Sequence, residues 1–142
     1  TTESQVAEVE PGVLMLNMRD NRGGSRAVST TTDLGKTWKE HESSRTALQE
    51  PVCMASLISV KAKENVLGKD ILLFSNPNDA KNRHSITIKA SLDGGVLLDA
   101  GWGWGYSCLT MIDKETVGIL YESSVAHMTF QAIKLKDIIK TK

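Results

Sequence analysis

Apolar and polar positions alternate along this chain in short runs, and almost nowhere at helical spacing. Thr1 to Val9 alternates at period two, with Val and Ala at one parity and charge at the other, which predicts a strand. Glu10-Pro11-Gly12 reads as a turn, and Val13 to Arg19 as a second strand, apolar on both faces as an inner strand is. Asp20 to Gly24 is a loop, Arg26 to Thr31 a third strand, and Thr37 to Glu40 leads out of a tight turn at Asp33 to Lys36. A long polar connection, His41 to Gln49, ends at Glu50-Pro51. The pattern then recurs: a strand at Cys53 to Val60, a charged hairpin loop at Lys61 to Lys69, a strand at Asp70 to Ser75, and a loop at Asn76 to Asn82. Arg83 to Leu92 alternates and closes on Asp93-Gly94-Gly95. After a Gly/Trp loop, Leu109 to Asp113, Thr116 to Glu122 and His127 to Ile133 read as strands, and the tail from Lys134 as a frayed strand or a short helical turn.

No convincing amphipathic helix precedes the tail, so the chain reads as all-β. Val13 to Trp38, Cys53 to Gly95 and Leu109 to Ile133 form a unit recurring at ~50 residues, the spacing of antiparallel four-stranded propeller blades. A β-sandwich is the competing arrangement. Turn chemistry recurring at one place in each unit favours the propeller. The 142 residues suffice for one domain with its own core. Seventeen basic and 17 acidic residues cancel, which points away from nucleic acid and anionic membrane surfaces. The apolar runs are far too short to span a bilayer, so membrane insertion is not expected, and no signal-peptide pattern opens the chain. Cys53 and Cys108, in apolar strand-like stretches far apart, suit buried free thiols rather than a disulfide framework or a metal site. His84 and His127 lack metal-ligand spacing, and neither metal nor cofactor is expected.

The turn Thr31-Thr32-Asp33-Leu34-Gly35-Lys36-Thr37-Trp38 has a physical logic. Asp33 can accept N–H groups within the turn, Gly35 can take a left-handed conformation, and Thr31 and Thr37 can bond across the hairpin. Trp38 can pack its ring beneath. The full string resembles the Asp-box of sialidases and related propellers, and Ser91-Leu92-Asp93-Gly94-Gly95 resembles a second copy that has lost its Thr-Trp end. A structural role on the outer rim, away from a pocket, is what that resemblance implies for Asp33, Gly35, Thr37, Trp38 and Asp93.

The stretch Gly103-Trp104-Gly105-Tyr106-Ser107-Cys108-Leu109-Thr110 places a tyrosine between a glycine-rich loop and an apolar strand. Such a tyrosine suits either a core or a pocket wall. Its wider setting resembles the C-terminal half of the catalytic domain of exo-α-sialidases of the bacterial and animal type. The segments carrying the likeness are Glu3 to Glu10, Leu16-Asn17-Met18-Arg19, Asn82-Arg83-His84-Ser85-Ile86-Thr87, Tyr106 to Thr110, and Gly118 to Glu122. The resemblance implies three blades of a six-bladed β-propeller across residues 1–142. It further implies Tyr106 as nucleophile, Glu3 as its base, Arg19 and Arg83 as a clamp on the substrate carboxylate, and Glu122 as a group orienting a further arginine.

These residue types suit that chemistry. Sialic acid carries a carboxylate on the carbon under attack, and a guanidinium grips a carboxylate with a rigid donor fork. A carboxylate nucleophile would be repelled there, whereas a neutral tyrosine is not, and sialidases depart in this way from the two-carboxylate pattern of glycosidases. A phenol of pKa about 10 needs an adjacent base. Taken singly, Arg19 would also suit a surface ion pair with Asp20 or Glu8, and Arg83 a solvated loop. The implied substrate is a sialylated glycan and the implied location secreted or periplasmic. The acid/base aspartate and third arginine would come from a preceding N-terminal part, so the chain reads as the second portion of a longer one. A non-catalytic propeller fragment that binds carbohydrate or a partner is the alternative.

Overall fold

A computed structural model describes residues 1–92 and 94–139. Asp93, the acidic member of the second Asp/Gly turn, lies outside the described residues, as does the end of the tail.

The chain folds into a series of antiparallel meanders. Strands β1 (Thr2–Glu10), β2 (Val13–Arg19), β4 (Ala27–Thr31) and β5 (Lys39–Glu40) form a four-stranded sheet in the order β1-β2-β4-β5. A short ribbon pairs β3 (Gly24–Ser25) with β6 (Gln49–Glu50) beside it. The second four-stranded sheet contains β7 (Ser56–Val60), β8 (Ile71–Pro77), β9 (His84–Ala90) and β10 (Gly94–Trp102). The third has three strands among the described residues, β11 (Ser107–Met111), β12 (Thr116–Glu122) and β13 (Met128–Lys134). The first strand of each sheet packs beside the first strand of the next, β1 against β7 and β7 against β11. Meanders stacked through their leading strands are propeller blades.

Apolar faces meet between the blades. Val60, Ile71, Leu73, Ile86 and Ile88 of the second blade pack with Leu109, Val117, Ile119 and Tyr121 of the third. The tail caps this layer: a single helical turn, α1 (Leu135–Ile138), buries Leu135, Ile138 and the following Ile139. Each such side chain contributes on the order of 1.5–3 kcal/mol through burial. A smaller cluster of Ala7, Ala55, Leu57 and Phe74 joins the first blade to the second. Hydroxyls complete the seams: Ser56 Oγ accepts the Leu109 N–H at 3.0 Å, and Ser75 Oγ lies 2.7 Å from Ser107 Oγ.

Between the first blade and the approach to the second lies a charged pair with no solvent exposure, Arg26 and Glu50. Arg26 donates to Asn17 Oδ1 (2.6 Å), Asn17 O (3.3 Å), Cys53 O (2.7 Å) and Glu50 Oε2 (3.3 Å). Glu50 also accepts the N–H groups of Asp20 (3.1 Å) and Cys53 (2.8 Å). Nearby, the buried Asp20 carboxylate receives Arg22 and Arg45, which hold its pKa well below the usual range.

The Asp33 turn joins β4 to β5. Its carboxylate accepts Thr31 Oγ1–H (2.7 Å), Thr37 N–H (2.9 Å) and Thr37 Oγ1–H (2.7 Å), while Thr31 Oγ1 accepts Gly35 N–H at 3.0 Å. The threonines therefore bond to the aspartate rather than to each other. Gly35 sits at φ +87°, and the Trp38 ring lies against it. These donors pull the Asp33 pKa down to about 2. The Ser91–Gly95 turn joins β9 to β10, the same place in the second blade.

Four expectations need correction. The Gly/Trp region contains a strand, because Gly94–Trp102 pairs along the edge of β9. In β1, Val6 faces outward at 57% exposure while Ala7 is buried, so the inward parity is that of Ala7, shared with the half-buried Gln5 and Val9. Cys108 is an exposed free thiol, since β11 turns its even positions away from the core; only Cys53 is buried. The third blade has three described strands instead of four, and the chain turns into α1 after β13.

Two measurements check this account. Glu50→Ala strands a buried guanidinium and lowers unfolding free energy in urea by about 3–5 kcal/mol, whereas replacing Arg26 and Glu50 together by apolar residues restores most of it. Asp33 has a depressed pKa, so its contribution is complete above its unfolded value near about 4 and is lost as pH falls through the folded value. Asp33→Ala therefore lowers the urea midpoint at pH above about 5, and the gap to the native chain narrows as pH falls toward about 2.

Candidate active site

Strand polarity decides which side chains can meet. Tyr106 immediately precedes β11, Glu3 lies at the start of β1, and Arg83 immediately precedes β9. Arg19 ends β2 and Glu122 ends β12, each antiparallel to its blade's leading strand. Strand starts and returning strand ends thus converge at one end of the blades. The Asp33 turn follows β4, which is antiparallel to β2, and so lies at the opposite end.

Glu3 owes its position to a bulge. Thr2 pairs with Arg19 and Ser4 with Met18, leaving Glu3 as an extra residue on β1. A bulge bends the strand and re-aims one side chain. Here the Glu3 carboxylate meets the phenol: Tyr106 Oη donates to Glu3 Oε1 at 2.6 Å. Arg19 Nη1 donates to Glu3 Oε2 at 2.5 Å and to Tyr106 Oη at 3.4 Å. Arg19 Nε is buried with no acceptor among the described residues.

Arg83 completes the group. Its guanidinium carbon stands 5.8 Å from the centre of the Tyr106 ring. Its Nη1 and Nη2 donate to Trp104 O and Val52 O, each at 2.9 Å. Both acceptors are neutral, so the pairing holds Arg83 in place without cancelling its charge. Val52 presents that carbonyl from a left-handed conformation, φ +55°, unusual for a β-branched residue. Neither the Val52 carbonyl nor the Trp104 carbonyl is announced by residue type, because any residue offers one.

The backbone of Tyr106 is held on both sides by Glu122. Tyr106 N–H donates to Glu122 Oε2 at 3.0 Å, and Glu122 N–H donates to Tyr106 O at 3.0 Å. Glu122 thus sits against the tyrosine's main chain. Gly105, at φ +85°, passes within contact of Pro77, Cys53 and Arg83, and a Cβ there would lie 2.7 Å from the proline ring.

The electrostatics follow from these contacts. The hydrogen bond from Tyr106, with that from Arg19, holds the Glu3 pKa below the ordinary carboxylate value. The same hydrogen bond, with burial and the charge of Glu3, raises the Tyr106 pKa above that of a free phenol, while Arg19 opposes the rise. The resting pair is therefore a neutral phenol and an ionised carboxylate. Two guanidinium cations, Arg19 and Arg83, thus flank the phenol with the Glu3 carboxylate, while the Glu122 carboxylate is engaged by the Tyr106 main chain.

The propeller blades bring a tyrosine, a carboxylate and two arginines together at one end. The chain resembles sialidases along nearly its whole length. It is 78% identical over 148 aligned positions to a sialidase of Bacteroides fragilis (strain YCH46), matching 99% of this chain and 27% of that protein. The solved structure of the Hadza microbial sialidase Hz136 superposes with a TM-score of 0.93 and 72% identity, over 97% of this chain and 28% of that one. The intramolecular trans-sialidase from Ruminococcus gnavus, solved with oseltamivir carboxylate, shares the fold at a TM-score of 0.80 and 21% identity, over 99% of this chain and 34% of that one. The chain thus spans between a quarter and a third of the length of these relatives. No protein-family model matches it.

The charge state of the pair is directly measurable. Of the two tyrosines, Tyr106 titrates above the ordinary value of about 10, and Glu3→Gln, which removes the carboxylate but keeps Arg19, lowers its pKa. Tyrosine-selective carbon NMR across alkaline pH reads both changes.

Proposed function

We propose that this chain forms the nucleophile-bearing part of an exo-α-sialidase that releases terminal sialic acid from glycoconjugates with retention. The observation carrying this reading is the 2.6 Å bond from Tyr106 Oη to Glu3 Oε1, with Arg19 and Arg83 beside it. Arg19 and Arg83 hold the substrate carboxylate. The Tyr106 oxygen bonds to the anomeric carbon as the bond from that carbon to the leaving oxygen breaks, and the phenolic proton passes to Glu3. The raised phenol pKa and lowered carboxylate pKa make proton transfer unfavourable at rest. Transfer is instead coupled to attack, when positive charge develops on the sugar.

The departing oxygen takes its proton from an acid outside this chain, an aspartate by the sialidase resemblance. Water then displaces Tyr106 from the same carbon and gives a proton to that aspartate, while Glu3 returns its proton to the phenolate. Two inversions yield retention. The partner is the remainder of the propeller, the substrate a sialylated glycan, and the location secreted or periplasmic, where such glycans are met. The contacts of Glu122 with the Tyr106 backbone suit a positioning role, and a free carboxylate lone pair there can also receive a further arginine.

A chimera tests this. This chain is placed in the Bacteroides fragilis sialidase in exchange for the segment it matches, and hydrolysis of a sialoside is followed. The chimera turns over, and Tyr106→Phe lowers kcat by on the order of 10³–10⁶ while leaving thermal unfolding unchanged. Sialoside binding without turnover in the unsubstituted chimera would instead support a carbohydrate-binding module.

A further inference from the structure

Trp104 is the feature of the site's rim that this mechanism leaves unused. Its ring is 53% exposed although its main chain is tightly held. Gly103 lies so close to the end of β12 that a Cβ there would come within 2.2 Å of Glu122 O. Gly105 is wedged against Pro77, Cys53 and Arg83 on the other side. The Trp104 carbonyl accepts Arg83 Nη1 at 2.9 Å and faces Cys53 Sγ at 3.6 Å. The ring is also fixed at its edge, because Nε1–H donates to Val125 O at 3.3 Å. Val125 is itself 72% exposed, so the indole and the loop after β12 form an apolar ledge at the end of the third blade.

A solvent-exposed tryptophan would usually be free to adopt several rotamers. Here the fold has already ordered it while leaving it about half exposed, two residues from Tyr106 and bonded through its carbonyl to Arg83. Sugar rings present faces of C–H groups that pack on an indole, and a pre-ordered ring binds with little further loss of rotamer freedom. The anionic sialyl unit belongs over Tyr106 and the arginines. The uncharged sugar joined to it must leave the cluster across the rim.

We propose that Trp104 is a specificity-determining platform for that neighbouring neutral sugar, the aglycone residue to which sialic acid is linked. This rests on the sialidase reading of the Tyr106 site. It makes the enzyme selective for oligosaccharide-linked sialic acid over sialosides with a small leaving group.

The test compares two substrates in the chimeric sialidase, 3′-sialyllactose and the methyl α-glycoside of sialic acid. Trp104→Ala lowers kcat/KM for sialyllactose about tenfold, equal to ~1.4 kcal/mol, and leaves that for the methyl glycoside within about twofold. Trp104→Phe recovers most of the loss on sialyllactose. Equal losses on both substrates, or no loss on either, overturn the platform while leaving the Tyr106 chemistry standing. Failure of the unsubstituted chimera to cleave either substrate overturns the sialidase reading, and the platform falls with it.

Discussion

A guanidinium and a carboxylate sealed from water hold the first blade to the second. Burying two charges costs several kcal/mol each, and mutual attraction alone does not recover that. Arg26 and Glu50 are stable there because hydrogen bonds surround them: Arg26 reaches four acceptors, and Glu50 gathers two backbone N–H groups besides. The result is a pinned stretch of chain from Glu50 to Cys53. Pinning matters because Val52, inside that stretch, sits in a left-handed conformation that costs on the order of 1–3 kcal/mol. The strained residue turns its carbonyl to Arg83, and Arg83 stands over Tyr106. A continuous path of polar contacts and main chain therefore runs from the buried pair to Tyr106.

Polarity of the strands then divides labour between the two ends of the blades. One end gathers Glu3, Arg19, Arg83, Tyr106 and Glu122, with partly exposed polar groups. The other carries the self-satisfied Asp33 turn, whose threonines and amides consume its carboxylate. The apolar seams between the blades separate the two. The strained backbone and the coupled phenol and carboxylate are thereby kept apart from the turn that closes the hairpin.

Much of this was legible in the sequence, for physical reasons. Period-two alternation marks strands whose two faces differ, as in β1 and β9, and short apolar runs mark inner strands such as β2 and β8, so these were readable, and the Thr-x-Asp-x-Gly-x-Thr-Trp string carries its own hydrogen-bonding logic. Tyr106, Glu3, Arg19 and Arg83 were reachable only together, through order and resemblance, because each alone is an ordinary surface residue. What stayed hidden was set by partners far along the chain. Arg26 looks like a strand-edge cation until Glu50 and Asn17 close on it. Cys108 looks buried because its neighbours are apolar, although the parity of β11 turns it out. β10 was masked by glycines and tryptophans that pair as an edge strand once β9 is beside them.

The bulge at Glu3 has a consequence that residue types do not express. From Ser4 to Glu8, β1 and β2 pair one residue to one; of the two surplus residues on β1, Val9 lies beside the hairpin turn and the other is Glu3 itself. Loss of one residue between Thr2 and Ser4 would erase the surplus and return the strand to plain alternation. Every apolar contact downstream would survive, and the domain would fold. The carboxylate would be gone from beside the phenol, even if another glutamate were still present in the segment. The meeting of these two groups is written in a count of residues as much as in their identity, so a deletion there would part them while leaving the sheet intact.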